Sequence, residues 1–380
     1  MINEGFNPTG AFNMEYEIKC SKCGRKTRDL LSYKCKCGQP LKVQLLQGFE
    51  AEKIRWKNYT VWRYSSFFPY VEEKAIITLG EGWTPLVNFS RNAYFKLESL
   101  NPTGSFKDRG STVLISALHK LIGNEGYIAE DSSGNAGASI AAYAARAELK
   151  ARIYVPESVS GPKFNQIRFY GADVVKVSGS RSEVTREAQK AEEKKFYIGH
   201  VLHPLFRDGI RTLAYEVAEQ FEWRVPERIY LPVSAGTLLL GVIEGFNHLY
   251  SSGVIDEFPT IVACQTRQVS PLYHRFKNLS YTPPEKITSI ADALVSVNPP
   301  LLELMVEELK AVKGEVEVVD EGETRKSFVE LAEKGFFVEP SSAVAYAAYK
   351  KHLVNREITG QEKTLIVLTG SGLKTTVQQN

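Results

Sequence analysis

From Tyr127 to the end of the chain, short apolar runs alternate with longer amphipathic ones, and no other feature constrains the fold so strongly. Candidate strands are Tyr127-Ile-Ala, Arg152-Ile-Tyr-Val, Val174-Val-Lys-Val, Phe196-Tyr-Ile, Arg228-Ile-Tyr-Leu, Thr260-Ile-Val-Ala, Glu315 to Val319 and Thr364 to Leu368. Between them Ala138 to Ala147, Glu183 to Lys194, Thr212 to Phe221 and Thr324 to Lys334 carry helical spacing. Strands that alternate with helices form parallel sheets covered on both faces. There are too many such units for one small sheet, so two doubly wound domains are predicted. With 380 residues, 43% of them hydrophobic, the chain has enough apolar mass for both cores. Asn278 to Leu302, rich in Pro, Ser and Thr, reads as an extended loop.

Upstream, four cysteines crowd into a short polar segment. Cys20 and Cys23 stand in C-x2-C spacing, and Cys35 and Cys37 follow in C-x-C spacing. Each pair is followed by a glycine, Gly24 or Gly38, which lets the backbone turn and aim amides at a thiolate. Two such turns supply the four sulfur ligands of a structural zinc ribbon, and a segment this short needs a staple. Clustering of this kind points to metal in a reducing compartment rather than to disulfides. The fifth cysteine, Cys264, lies in an apolar run and reads as core.

The formal net charge is +3, with basic residues spread along the chain, so no nucleic-acid partner is indicated. The longest apolar runs, such as Thr237 to Ile243, are far shorter than the roughly 20 residues that cross a bilayer. Met1 to Met14 lacks the basic and apolar regions of a secretory signal, so a cytoplasmic address is expected.

Ligands of open α/β sheets sit beyond the carboxyl ends of the strands, often with phosphate on a helix N-terminus. Four segments have that placement. In Asn101-Pro-Thr-Gly-Ser-Phe-Lys-Asp-Arg-Gly-Ser, the spacing of Ser105 and Asp108 predicts a capping box and puts Lys107 in the first helical turn. There the helix dipole opposes its charge and should lower its pKa, as imine chemistry requires. Glu130-Asp-Ser-Ser-Gly-Asn-Ala-Gly opens an Ala-rich helix and offers hydroxyls and turn amides to a carboxylate. Leu231-Pro-Val-Ser-Ala-Gly-Thr-Leu repeats the strand, turn, helix pattern and suits a phosphate. Finally, Thr369 ends a strand in Ile366-Val-Leu-Thr-Gly-Ser-Gly-Leu-Lys.

Together these segments resemble the fold type II, tryptophan synthase beta-like, pyridoxal-phosphate-dependent enzymes, and within them the threonine synthase family. Leu79-Gly-Glu-Gly-Trp-Thr-Pro-Leu, Val338-Glu-Pro-Ser-Ser-Ala and the cysteine segment add to the likeness, which covers nearly the whole chain. The resemblance implies a carbon–oxygen lyase that uses pyridoxal 5′-phosphate as a Schiff base on Lys107, beside Phe106. It implies that Asn135 bonds the phenolic oxygen of the cofactor and that Ser234, Ala235, Gly236, Thr237 and Leu238 bind its phosphate. Thr369 would face the pyridine nitrogen, while Ser132, Ser133 and Gly134 face the substrate carboxylate. It also implies a homodimer. Residues 15–48 would form the zinc ribbon after an extension, 1–14. Residues 49–100 and 204–380 would form a large cofactor-binding domain, and 101–203 a small domain carrying Lys107 and Asn135.

The implied reaction takes O-phosphohomoserine to threonine, by loss of phosphate and addition of water. The substrate-phosphate end departs from the family pattern. Ala136 stands where a Thr usually follows the asparagine, and Phe206 stands at the arginine of an Asn-Pro-x-Arg stretch. In a segment read as extended, Arg207 would point the other way. Ser371 replaces a usual His, and Arg267 replaces a usual Glu and could supply an anion ligand. Two alternatives therefore stay open: serine or threonine dehydration, and β-replacement on O-phosphoserine in the manner of cysteate or cysteine synthesis. His200 and His203 flank the site segment, where a structural role is the simpler reading.

Overall fold

A computed structural model describes residues 15–376, and the amino-terminal extension, 1–14, lies outside them. The chain opens with three antiparallel strands, β1 (Tyr16–Cys20), β2 (Lys26–Thr27) and β3 (Leu41–Leu45), in the order β2-β1-β3. A stretch of short 3-10 turns leads to β4 (Leu86–Ser90) and β5 (Ala93–Lys96). Next come α1 (Lys107–Ile122), β6 (Tyr127–Glu130), α2 (Asn135–Arg146), β7 (Lys150–Pro156) and α3 (Pro162–Phe169). After them follow β8 (Asp173–Val177), α4 (Arg181–Gln189) and β9 (Lys195–Tyr197). The chain then runs through α5 (Pro204–Ile210), α6 (Thr212–Gln220), β10 (Arg228–Pro232), α7 (Thr237–Ser251) and β11 (Thr260–Thr266). It ends with α8 (Pro271–Phe276), α9 (Leu302–Ala311), β12 (Glu315–Val319), α10 (Glu321–Glu333), α11 (Pro340–Val354) and β13 (Thr364–Val367).

Among the described residues, two sheets carry the body, in the orders β12-β11-β10-β13-β5-β4 and β8-β7-β6-β9. All their pairings are parallel except β4 with β5. The expected α/β fold with doubly wound sheets is therefore what the chain adopts. One apolar cluster joins α6 and α7 to the larger sheet, and a second, on its other face, joins α10 and α11. Burial on both faces is why these strands read as continuous apolar runs. No helix of the described residues is long and apolar enough to cross a membrane.

Strand order creates two switch points. In the smaller sheet the chain winds outward from β6 to β8 and returns with β9 on the other side of β6. In the larger, it winds outward from β10 to β12 and returns with β13 on the other side of β10. Crevices open beyond the carboxyl ends of such pairs. Helix α1 packs against both α2 and α5. Its Arg109 is fully buried and bonds Glu98 (Nε to Oε2, 2.7 Å) and Glu216 of α6 (Nη1 to Oε2, 2.8 Å), locking the start of α1 in place.

Some local expectations need correction. No capping box forms at α1, because the Asp108 carboxylate accepts from Thr103 N (2.7 Å), Thr103 Oγ1 (2.6 Å) and Ser139 Oγ (2.6 Å) instead. The segment around Arg207 is the helix α5 rather than extended chain, with Pro204 in its first turn. Helix α4 ends at Gln189, short of the expected Lys194. The 278–301 stretch lacks regular structure, as expected, although Ala291, Leu294 and Leu301 are buried.

Candidate active site

Lys107 is the first residue of α1, and its Nζ donates to Thr237 Oγ1 (3.2 Å) at the start of α7. Its ammonium lies 4.8 Å from the Phe106 ring and 5.6 Å from the Phe206 ring. Burial pushes the amine down to about 8, against an opposing pull from the Glu130 carboxylate. The expected direction holds, but desolvation rather than the helix dipole causes it.

The loop that presents Lys107 is zipped to the segment after β13. Phe106 N donates to Thr369 O (3.1 Å), and Ser371 N donates to Gly104 O (2.9 Å). Thr369 Oγ1 pairs with Ser342 Oγ at 2.9 Å. A Cβ on Gly370 would fall 2.0 Å from Glu339 Oε2, so a larger residue there would push that carboxylate off Asn135. Glu339 Oε2 accepts from Asn135 Nδ2 (2.8 Å), and its Oε1 forms an ion pair with Lys163 Nζ (2.7 Å), which ties the loop after β6 to the larger sheet.

Past β6, Ser132, Ser133, Gly134 and Asn135 are half-buried and follow the strand end directly. A Cβ on Gly137 would overlap Ser132 O at 1.8 Å, so this helix start needs glycine for its close approach. Past β10, Ser234 and Ala235 lead to Gly236, whose φ of +96° is a left-handed geometry that favours glycine. The ladder of α7 begins with Leu240 N donating to Gly236 O (3.0 Å). The amides of Thr237, Leu238 and Leu239 thus lie ahead of it and can point at an anion.

These features fit pyridoxal phosphate. The Asn135 amide nitrogen keeps a second hydrogen to donate beyond the one given to Glu339, the Lys107 amine is held partly neutral, and the α7 amides form a dianion cradle. The sulfur atoms of Cys20, Cys23, Cys35 and Cys37 lie within 4.8 Å of one another, with close approaches of 3.6, 3.7 and 3.6 Å. A tetrahedral zinc with bonds of about 2.3 Å sets its sulfurs about 3.8 Å apart, so these cysteines fit that ion.

Residues 77–370 match the family described as "Pyridoxal-phosphate dependent enzyme". A threonine synthase of Methanocaldococcus jannaschii is 34% identical over 379 residues, covering 94% of this chain and 92% of that protein. The chain belongs to the pyridoxal-phosphate-dependent enzymes, in the threonine synthase family. A threonine synthase of Methanosarcina acetivorans is 30% identical and covers 93% of this chain and 91% of its own. Among solved structures, a threonine deaminase from Solanum lycopersicum matches with a TM-score of 0.67 at 19% identity, covering 86% of each chain. Maize serine racemase matches at 0.64 and 22% identity, covering 76% of this chain and 88% of its own, and both likenesses speak to the fold. As a member of this family, the protein is a pyridoxal-phosphate-dependent lyase of amino-acid metabolism.

Arg207 points away, as expected, and Arg267, offered as an anion ligand, is engaged elsewhere. Arg207 is fully buried and turns to the cysteine segment, donating to Leu41 O of β3, and to Val201 O and Leu202 O at 3.1 Å each. Arg267 pairs with Asp320 on the surface. His203 caps α5, accepting from Leu205 N (3.3 Å) with burial pushing its ring down to about 3, a structural role as expected. Sequence reasoning gave no role to Glu339 or Lys163. A carboxylate directly before Pro340 at a helix start was the available signal.

Proposed function

We propose that this enzyme acts as a threonine synthase, releasing phosphate from O-phosphohomoserine and adding water. The observation that supports the reading is that Lys107 bonds Thr237 at the start of α7 while Asn135 is tied through Glu339 to the larger sheet. Family membership sets the reaction class.

Pyridoxal phosphate, when bound, acidifies the substrate Cα–H. In this reading Lys107 Nζ holds the cofactor, beside Phe106, and moves that proton, helped by its low basicity. Asn135 Nδ2 donates to the phenolic oxygen, with Glu339 orienting the amide. Ser234, Ala235, Gly236, Thr237 and Leu238 hold the phosphate. Thr369 faces the ring nitrogen with a neutral hydroxyl, which suits elimination better than transamination, and Ser132, Ser133 and Gly134 take the substrate carboxylate. Cys20, Cys23, Cys35 and Cys37 hold structural zinc. The sheets support residues 101–203 as the small domain, 49–100 with 204–380 as the large one, and 15–48 as the ribbon. A cytoplasmic homodimer completes the proposal.

One observation favours a second reading. Phe206 packs beside Lys107 where the family pattern has an arginine, and Arg207 turns away. Serine or threonine dehydration, or β-replacement on O-phosphoserine, needs no such guanidinium. The test is a substrate panel scored for phosphate and ammonia. Phosphate and threonine from O-phosphohomoserine support the first reading; turnover of serine, threonine or O-phosphoserine alone replaces it with the second.

A further inference from the structure

Beyond the carboxyl ends of β6 and β9, at the switch point of the smaller sheet, Glu130 and His200 face each other. Glu130 is the last residue of β6, and Ile198 N extends the ladder from β9 by donating to Ala129 O (3.0 Å), two residues before His200. Both carboxylate oxygens of the fully buried Glu130 are taken by this one residue. Oε1 lies 2.7 Å from His200 Nδ1, and Oε2 accepts from His200 N at 2.9 Å. Such a clamp puts the proton on Nδ1 and leaves Nε2 as the working nitrogen. Among the described residues Nε2 makes no hydrogen bond.

The pair lies one aromatic ring away from Lys107. The His200 ring lies 5.4 Å from the Phe206 ring, edge to face, and Phe206 lies 5.6 Å from Lys107 Nζ. Glu130 is also the carboxylate felt by the Lys107 amine. The other charges facing His200 are accounted for. Asp131 is engaged by Arg181 (2.9 Å), Thr185 (2.6 Å) and Tyr197 (3.0 Å). The loop 132–134, proposed to hold the substrate carboxylate, starts two residues after Glu130.

We infer that His200, held by Glu130, is the acid–base residue for the oxygen chemistry of the substrate, distinct from the Cα proton moved by Lys107. As the C–O bond to the leaving group breaks, its electron pair goes to oxygen and the Nε2 proton follows it. The imidazole, now neutral, then takes a proton from the incoming water as that oxygen bonds to carbon, which restores the imidazolium. In dehydration only the first half operates. The inference rests on the lyase reading above.

The test uses cofactor-loaded wild-type, His200→Asn and Glu130→Gln enzymes with O-phosphohomoserine, O-phosphoserine and serine as probes. Three signals are followed: visible absorbance of bound cofactor, exchange of the substrate α-proton in deuterium oxide, and release of phosphate or ammonia. His200→Asn should keep the absorbance and the exchange within about twofold, while product release falls roughly 10²- to 10⁴-fold and the pH profile of kcat loses one limb. Glu130→Gln should shift the same signals in the same direction by less. Product release within threefold of wild type in His200→Asn, or exchange and release lost together, would overturn the inference. Failure of the wild type to exchange any α-proton would instead fell the lyase reading, and this inference with it.

Discussion

The low basicity of Lys107 sets a pH dependence that can be worked through. Its amine moves from an ordinary 10.5 to about 8, through burial opposed by Glu130. At pH 7 an amine with that value is neutral in about one molecule in eleven, against roughly one in 3,000 for an ordinary lysine. Only the neutral amine condenses with an aldehyde. The rate at which the apoenzyme takes up pyridoxal phosphate should therefore rise about tenfold per pH unit up to pH 7. It should bend near 8 and be flat above about 9, followed by stopped-flow visible absorbance. Glu130 raises the value, so Glu130→Gln should move the bend to lower pH. The stability linkage has a matching sign. Between about 8 and 10.5 the unfolded chain binds the extra proton, so the apoenzyme gains stability as pH rises through that window and shows no gain from this group below it. A bend near 10, or a shift to higher pH in Glu130→Gln, would refute the argument that burial sets this amine.

Gly236→Ala places a side chain on a left-handed residue, with its Cβ 2.5 Å from Met305 Sδ, at a cost of about 2–4 kcal/mol in strain and overlap. Concentrated on the α7 N-terminus, that cost should weaken cofactor binding roughly 30- to 1,000-fold in a fluorescence titration. An unchanged Kd would show that this turn does not hold the cofactor. Cys20→Ser should remove bound zinc, measured by elemental analysis at one ion per wild-type chain, and lower the melting temperature. A wild-type protein free of zinc would end the ribbon assignment.

What could be read in the sequence divides along a physical line. The core strands were legible because their central residues are buried, so β6, β7, β10 and β13 each carry a run of three apolar residues. Strand β4 was not predicted, since it lies at a sheet edge and is half-exposed along its length, and β5, only four residues long, was not predicted either. Lys107 was legible because its role depends on a local feature, the start of a helix after a glycine turn. Its companions depend on strand order, which pairs residues far apart in the chain. Asn135 meets Glu339 across 204 residues, and Glu130 meets His200 across 70. No local pattern encodes which strand returns beside β6.

Helix α5 differs from the extended reading for a local reason. His203-Pro204 is a helix-opening pair, because proline suits the first turn and the His203 ring accepts from Leu205 N. Read as extended, the segment left the direction of Arg207 to alternation. Read as a helix, it puts Phe206 and Arg207 about 100° apart around one axis. The ring then packs against α1, where a Cβ on Gly110 would come within 2.7 Å of it, while the guanidinium faces β3 and bonds the carbonyl of Leu41, the strand partner of Cys20. One turn of helix thus joins the cysteine segment to the wall beside Lys107. It also removes the last arginine of this segment from the substrate side. Among the described residues the imidazole of His200 and the amine of Lys107 both lie beside Phe206, so on the inference drawn above a leaving anion meets a proton donor there rather than a guanidinium fork.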